Sequence, residues 1–95
     1  MIKWKNAKIV NTFIGIEDHG IFAWNIVFSG NGWGQGTGIY SIDTSALPIL
    51  EKIVRLFGPW EELKDKFVQI GREEDRGLII GIRDILDETK EVRLR

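Results

Sequence analysis

Two short stretches carry side chains whose types and spacing suit chemistry. The first is "EDHG", Glu17 to Gly20, which holds the chain's one histidine. An imidazole beside carboxylates is a candidate general base, with Glu17 or Asp18 orienting His19. Three adjacent turn residues do not easily converge on one point, however, and no serine stands in a nucleophile motif. A metal centre would need further ligands, and there is no second histidine and no cysteine. The stretch reads first as a tight polar turn and second as a set of ligand or interface contacts from Glu17, Asp18 and His19. Catalysis and metal binding come last.

The second stretch is "GNGWGQGTG", in which every even position from Gly30 to Gly38 is glycine. G-x-G-x-x-G fails here, because Gln35 or Thr37 stands where the last glycine belongs, and no lysine completes a P-loop. A period of two is the period of a β-strand. One face of that strand is bare backbone, and the other carries Asn31, Trp33, Gln35 and Thr37. Bare backbone at Gly34 and Gly36 admits a packed helix, a second subunit or a flat ligand. On the opposite face an indole beside an amide suits a nucleobase, with a π surface to stack on and hydrogen-bonding groups for its edge. A tryptophan buried in the core fits Trp33 equally well.

Arginine binds phosphate through its forked donors, and Arg72, Arg76 and Arg83 are the candidate anion partners in the second half. A solvated surface role is the alternative for each. Glu61, Glu62, Lys64 and Asp65 read as an ordinary solvated helical face.

The elements that position these residues follow from local pattern. "NAKIVNTFIGI" is rich in β-branched residues and predicts a first strand over Lys5 to Glu17. The EDHG turn leads into "IFAWNIVFS", apolar on both faces and so expected as a central strand. A third strand then runs through the alternating glycines into "IYSID", with its turn around Ser29 to Asn31. Asp43 to Ser45 supply helix-cap residues, and with Ser45 as the N-cap of an amphipathic helix Pro48 falls in its first turn, where a missing N–H costs nothing. Ala46, Leu50, Ile53, Val54 and Phe57 fall at helical spacing on its inner face, and Gly58 ends it. "PWEELKDK" is a short turn with Trp60 and Leu63 inward. "KFVQIGREE" and "GLIIGIRDIL" give two more strands around the polar turn Glu73 to Gly77. The order β-β-β-α-β-β predicts an α+β fold, a small antiparallel sheet of about five strands with one helix on one face. One domain covers 1–95, with 86–95 frayed or reaching a neighbouring chain.

Ninety-five residues, 43% hydrophobic and 28% charged, suit one small globular core. A net charge of −1 lacks the basic excess of a DNA coat. Nothing approaches the roughly 18 apolar residues of a membrane span, and "MIKWKNAK" does not read as a signal peptide. A cytoplasmic protein with no cofactor, no DNA partner and no membrane partner is expected.

"GIEDHGIF", "GNGWGQGTGIYSID", "PWEELKDKFVQI" and "IIGIRDIL", in that order, resemble a family of small phage and prophage proteins. The resemblance covers nearly the whole chain. Its shared pattern is an E-D-H-G hairpin turn, a strand with G-Q-G, a W-x-x-L-x-x-K-x-V segment and a final I-x-x-I-L. The family is similar to phage sponge proteins of the anti-CBASS and Thoeris anti-defence type, which sequester cyclic nucleotide immune signals. The resemblance implies a non-enzymatic immune-evasion protein in the host cytoplasm, a dimer or tetramer holding its ligand between subunits. That ligand would be a cyclic di- or oligonucleotide or a cyclic ADP-ribose type signal. By position it implicates Glu17, Asp18, His19 and Gly20, then Gly34, Gln35 and Gly36, then Tyr40. The chain departs from the pattern at Trp33, where a small residue is expected, at Thr37, where an aromatic is usual, and at "GIY", where the tyrosine usually follows a glycine pair.

On this reading Arg72, Arg76 and Arg83 neutralise phosphate, Trp33 or Tyr40 stacks on a base, and Gln35 reads its edge. Three rivals remain: a protein-binding inhibitor of a restriction or CRISPR nuclease acting through the hairpin edge, a small nucleotide hydrolase using His19, and a structural phage component.

Overall fold

The computed structural model describes residues 1–38 and 40–95. Its longest element is β1 (Lys3–Ile16), whose fourteen residues serve two partners. The first half pairs antiparallel with β5 (Phe67–Arg72), from Lys3 opposite Arg72 to Lys8 opposite Phe67. The second half pairs with β2 (Phe22–Gly30), from Lys8 opposite Ser29 to Ile16 opposite Phe22. Between Ile9 and Asn11 the register slips by one residue. Such a bulge reverses which side chains face which way. Ala7 and Ile9 face the core before it, whereas Thr12, Ile14 and Ile16 share the core side after it, opposite Ile26, Trp24 and Phe22.

β3 (Trp33–Gly36) and β4 (Tyr40–Ser41) both pair with β2. β6 (Gly81–Asp84) and β7 (Glu91–Arg93) extend the other side, so the sheet order is β3-β2-β1-β5-β6-β7 with β4 beside β2. The antiparallel sheet with a single α-helix is the expected α+β architecture, but the described residues form seven strands rather than five. Two differences account for the count. The expected third strand is broken, because Gly38 adopts φ +92°, which extended chain cannot continue through; position 39 of that strand lies outside the described residues. The segment 86–95, expected to fray or to reach a neighbour, instead contains β7. Val92 and Leu94 are buried there, and the Leu94 N–H donates to the Ile80 carbonyl at 2.9 Å.

Thr37 repairs the break between β3 and β4. Its backbone N–H donates to the Ile26 carbonyl, and its buried hydroxyl accepts from the Ile26 N–H at 3.2 Å. The hydroxyl thus replaces a ladder carbonyl.

α1 (Leu47–Phe57) carries Pro48 in its first turn as expected and ends at Gly58, whose N–H donates to the Val54 carbonyl. Its cap differs from expectation. Asp43 Oδ1 accepts from the Ser45 N–H, the Ser45 hydroxyl and the Ala46 N–H, so the carboxylate two residues earlier does the work assigned to Ser45. These bonds, led by the Ser45 hydroxyl, hold the Asp43 carboxyl below its ordinary value. Ala46, Ile53 and Phe57 are buried and Leu50 is half-buried, but Val54 is exposed. The helix stripe is wider than the surface it covers. α1 lies against β7, and a single 3-10 turn at Trp60–Glu62 brings Leu63 into the core. Trp24, Ile26, Phe28, Ile53, Val68, Ile70, Ile79, Ile82 and Val92 fill the interior.

The sheet does not stay open. Gln35 on β3 donates through Nε2 to the Gly77 carbonyl in the β5–β6 connection at 3.0 Å. Those elements are far apart in strand order, so the sheet curls until its first strand meets the connection beyond its fourth. Among the described residues no helix is long and apolar enough to cross a membrane.

Replacing Thr37 by valine keeps the shape and leaves the Ile26 N–H without its acceptor. The expected loss is about 1–3 kcal/mol of stability, read as a lower urea midpoint at unchanged slope.

Candidate functional site

The tip of the β1–β2 hairpin gathers more functional side chains than any other region. The Glu17 N–H donates to the Ile21 carbonyl at 2.9 Å and closes the turn. The Glu17 carboxylate then organises the turn from within. It accepts from the His19 N–H at 2.7 Å, from the Ile21 N–H at 3.1 Å and from the His19 ring at 3.0 Å through Nδ1. An ionised carboxylate only accepts, so the proton of that last bond sits on Nδ1 and the outward ring nitrogen is Nε2. The sequence argument that adjacent turn residues do not converge is thereby corrected for two of the three: Glu17 and His19 meet, because the backbone reverses between them. The His19 hydrogen bond, then that of Ile21, holds the Glu17 carboxyl below its ordinary 4.5. Glu17 itself is largely covered, at 11% side-chain exposure, whereas His19 stands 84% exposed.

A cavity of about 320 Å³ opens beside this turn, lined by Phe13, Ile16, Glu17, Asp18, His19 and Asn25. Phe13 and Asn25 are cross-strand partners on the sheet face away from the core. The Asn25 side chain lies over the bare backbone of Gly36, where an added Cβ would come within 3.0 Å of Oδ1. Gly36 is therefore a site of close approach, as the alternation implied, and what approaches is an amide of the same chain. Thr37 donates its hydroxyl proton to Asn25 Oδ1 at 3.0 Å. With its oxygen so engaged, Asn25 presents its NH₂ group as the free donor. The cavity offers an aromatic ring, an amide donor, an imidazole and the Asp18 carboxylate. It has no lysine or arginine in its lining.

The side chains expected to face a ligand from the glycine stretch point the other way. Trp33 and Gln35 pair with Gly30 and Phe28 on the core side of β2. Trp33 is half-buried, its ring lies on Gly30, and the Arg72 guanidinium stacks over it at 4.6 Å. Arg72 is itself buried at 6% exposure and donates from Nη1 to the Asp75 carbonyl at 2.9 Å. With Gln35 on Gly77, the trio clasps the β5–β6 connection to β3. Three residues expected at a recognition surface thus meet one another, in a structural contact rather than an open site. Arg76 is exposed within that same connection.

The remaining expected residues are separate. Arg83 stacks over Trp4 at 4.3 Å, donates from Nε to Gln69 Oε1 at 2.7 Å, and lies 3.7 Å from Glu88. Tyr40 stacks on buried Trp24 at 5.0 Å beneath Arg95, and burial pushes its phenol above the ordinary 10.0 while Arg95 partly offsets this. Gly34 is exposed, and an added Cβ there would meet the Phe28 carbonyl oxygen at an ordinary contact distance of 3.6 Å. In a single chain, then, Glu17, Asp18 and His19 share a cavity, and Trp33, Gln35, Thr37, Tyr40, Arg72 and Arg83 support the fold. Among the described residues no group of three histidine, aspartate or glutamate side chains is placed to hold a metal.

Phe13, Ile16 and Asn25 were not anticipated. A signal existed: with Glu17 closing on Ile21, counting backwards and forwards from the turn sets Phe13 opposite Asn25. No family model matches the sequence, and no curated protein or solved structure matches it.

Two outcomes test this assignment. A carboxylate with a depressed pKa stabilises the fold above its unfolded value and loses that contribution as pH falls through the folded one. An NMR titration of Glu17 should show a midpoint below 4.5, with the His19 amide resonance shifting in step as the turn loosens in acid. Trp33→Ala should cost about 2–3 kcal/mol, below the roughly 3–5 typical of a wholly buried tryptophan, as measured by denaturant unfolding.

Proposed function

We propose that the protein binds and withholds a nucleotide-like signal at the tip of its β1–β2 hairpin without transforming it. The carrying observation is the cavity itself. A ring to stack on (Phe13), an amide donor (Asn25), an imidazole held by Glu17 (His19) and a carboxylate for amines or hydroxyls (Asp18) line one space. This is the set a purine or pyrimidine edge requires. In its finer form the reading is a phage immune-evasion protein for a cyclic di- or oligonucleotide or cyclic ADP-ribose type signal, working in the host cytoplasm as an oligomer. The lining holds no lysine or arginine, so on this reading the phosphates would have to be met by cations of a second chain.

One observation favours a second reading. Glu17 orients His19 as a general base is oriented, which suits a small nucleotide hydrolase using water.

A single experiment separates the two. The purified protein is incubated with a panel of cyclic nucleotides, desalted and denatured, and the released material is chromatographed. Intact nucleotide is expected, and conversion that disappears in His19→Ala would instead establish the hydrolase. No retained nucleotide, and no conversion in the unretained fraction, across the panel would sink both. Phe13→Ala should weaken retention by about five- to a hundredfold, given the roughly 1–3 kcal/mol of base–aromatic stacking, and Asn25→Ala should weaken it by about five- to tenfold through the lost amide donor. Gln35→Ala should leave retention unchanged.

A further inference from the structure

β5 ends beside Lys8, which leaves one edge of the hairpin without a partner among the described residues. β5 accompanies β1 only as far as Lys8, and residues 65 and 66 bond to Ile9. Beyond that point β1 pairs with β2 alone. The direction of the free groups follows from three hydrogen bonds. The Glu17 N–H reaches the Ile21 carbonyl, so Glu17 faces β2; the Phe22 and Ile26 carbonyls accept from Ile42 and Thr37, so those residues face away from β1. Alternation then sends the N–H and C=O groups of Thr12, Ile14 and Ile16 to the open side. Among the described residues no backbone group meets them there.

Natural sheet edges are usually blunted by charge, proline or an inward twist. Asn11 to Ile16, "NTFIGI", contains no charge and no proline. Phe13, Ile14 and Ile16 are 38%, 44% and 65% exposed. The edge is therefore apolar, uncharged and unpaired.

We propose that this edge pairs antiparallel with the same edge of a second copy, about a two-fold axis at Ile14. The register is fixed by the groups that need partners. With Ile14 opposite Ile14, Thr12 falls opposite Ile16, and all three outward N–H and C=O groups of each chain are satisfied. A shift of one pairing step in either direction strands Thr12 or sets Ile16 against the bulge at Val10. Opposed residues share a face in an antiparallel pair, so Ile14 meets Ile14 and Phe13 meets Gly15, while Asn11 stands opposite Glu17 and no like charges oppose one another. The same register sets Asp18 of one chain level with Val10 of the other, next to the segment carrying Lys64 and Lys66. Each cavity, without a lysine or arginine of its own, is thereby completed from the second chain. Only this last point rests on the proposed function; the pairing itself does not.

The test is the mass of the ligand-free full chain by sedimentation equilibrium over a range of concentrations. A dimer is expected. Ile14→Lys and Ile14→Glu, both at an exposed position, should each raise the dimer dissociation constant by more than about tenfold, because like charges directly opposite one another repel. An equimolar mixture of the two should recover the dimer, since only a two-fold axis at this residue sets lysine against glutamate. Val54→Lys, on the exposed face of α1, should leave the mass unchanged. A monomeric wild type overturns the proposal, as does a dimer indifferent to Ile14→Lys or a mixture that fails to associate. Should a charged variant lose its far-UV circular dichroism, the wild-type mass and the Val54→Lys control decide alone. A dimer that retains no nucleotide would fault the ligand reading and leave the interface standing. A monomer that retains one would do the reverse.

Discussion

One extra residue between Ile9 and Asn11 governs the architecture. A strand as long as β1, kept in register, would hold one set of side chains against the core throughout and offer the same two edges to its neighbours. Both regularities break at or near the bulge. It rotates the second half so that Thr12, Ile14 and Ile16 replace the odd positions on the core side, close to where the pairing with β5 ends and β1 runs on beside β2 alone. Phe13 reaches the outer face, and so the cavity, only because of that rotation. A bulge also increases local twist, consistent with a sheet that curls far enough for Gln35 to touch Gly77.

The curl has to be held, and polar side chains hold it. Stacking of the Arg72 guanidinium on Trp33, with Arg72 on the Asp75 carbonyl and Gln35 on Gly77, joins β3 to a connection on the far side of the sheet. Burying a guanidinium is costly unless its donors and its flat face are both used. Here the indole covers the face and a carbonyl takes an Nη1 proton, while Nε is buried without a partner. Trp4 and Arg83, with Gln69 and Asn6, form a second stacked and hydrogen-bonded group on the outer face. Arginine–tryptophan pairs thus serve the fold at two places where a sequence reader meets only isolated cations and aromatics.

That explains what was and was not legible. Local signals carried well. The hairpin turn, the helix with Pro48 and Gly58 at its ends, and the strands around "FVQIG" and "GIRD" all follow from short-range pattern, and the structure places them within a few residues of expectation. Non-local facts did not carry. The alternation of "GNGWGQGTG" predicts one strand with a naked face, which holds only for Trp33–Gly36, and the direction of that face depends on the register against β2. A core place and a ligand-facing one therefore fit Trp33 equally from sequence, and the register decides for the core side, which Gln35, expected at a ligand, shares. β7 was missed because "EVR" is charged and too short to display a period, and its one buried valine acquires meaning only beside Ile82. Glu17, Asp18 and His19 were found because a turn is a local object. Phe13 and Asn25 were not, because they become neighbours only once two strands are zipped together.

The divided partnership of β1 also separates two kinds of loop closure. Its second half meets β2 across the short connection after Ile16, whereas its first half waits for β5, so that Lys3 finds Arg72 only after most of the chain has been traversed. The entropy of closing a loop grows with its length, and topologies rich in distant pairings form slowly. One strand therefore has a near partner at one end and a remote one at the other. The cavity belongs entirely to the near end: Phe13, the turn and Asn25 lie within a single contiguous run of the chain. Its basic geometry is the property of a hairpin, and the rest of the fold, from the clasp to the last strand, serves as the frame that holds the hairpin still.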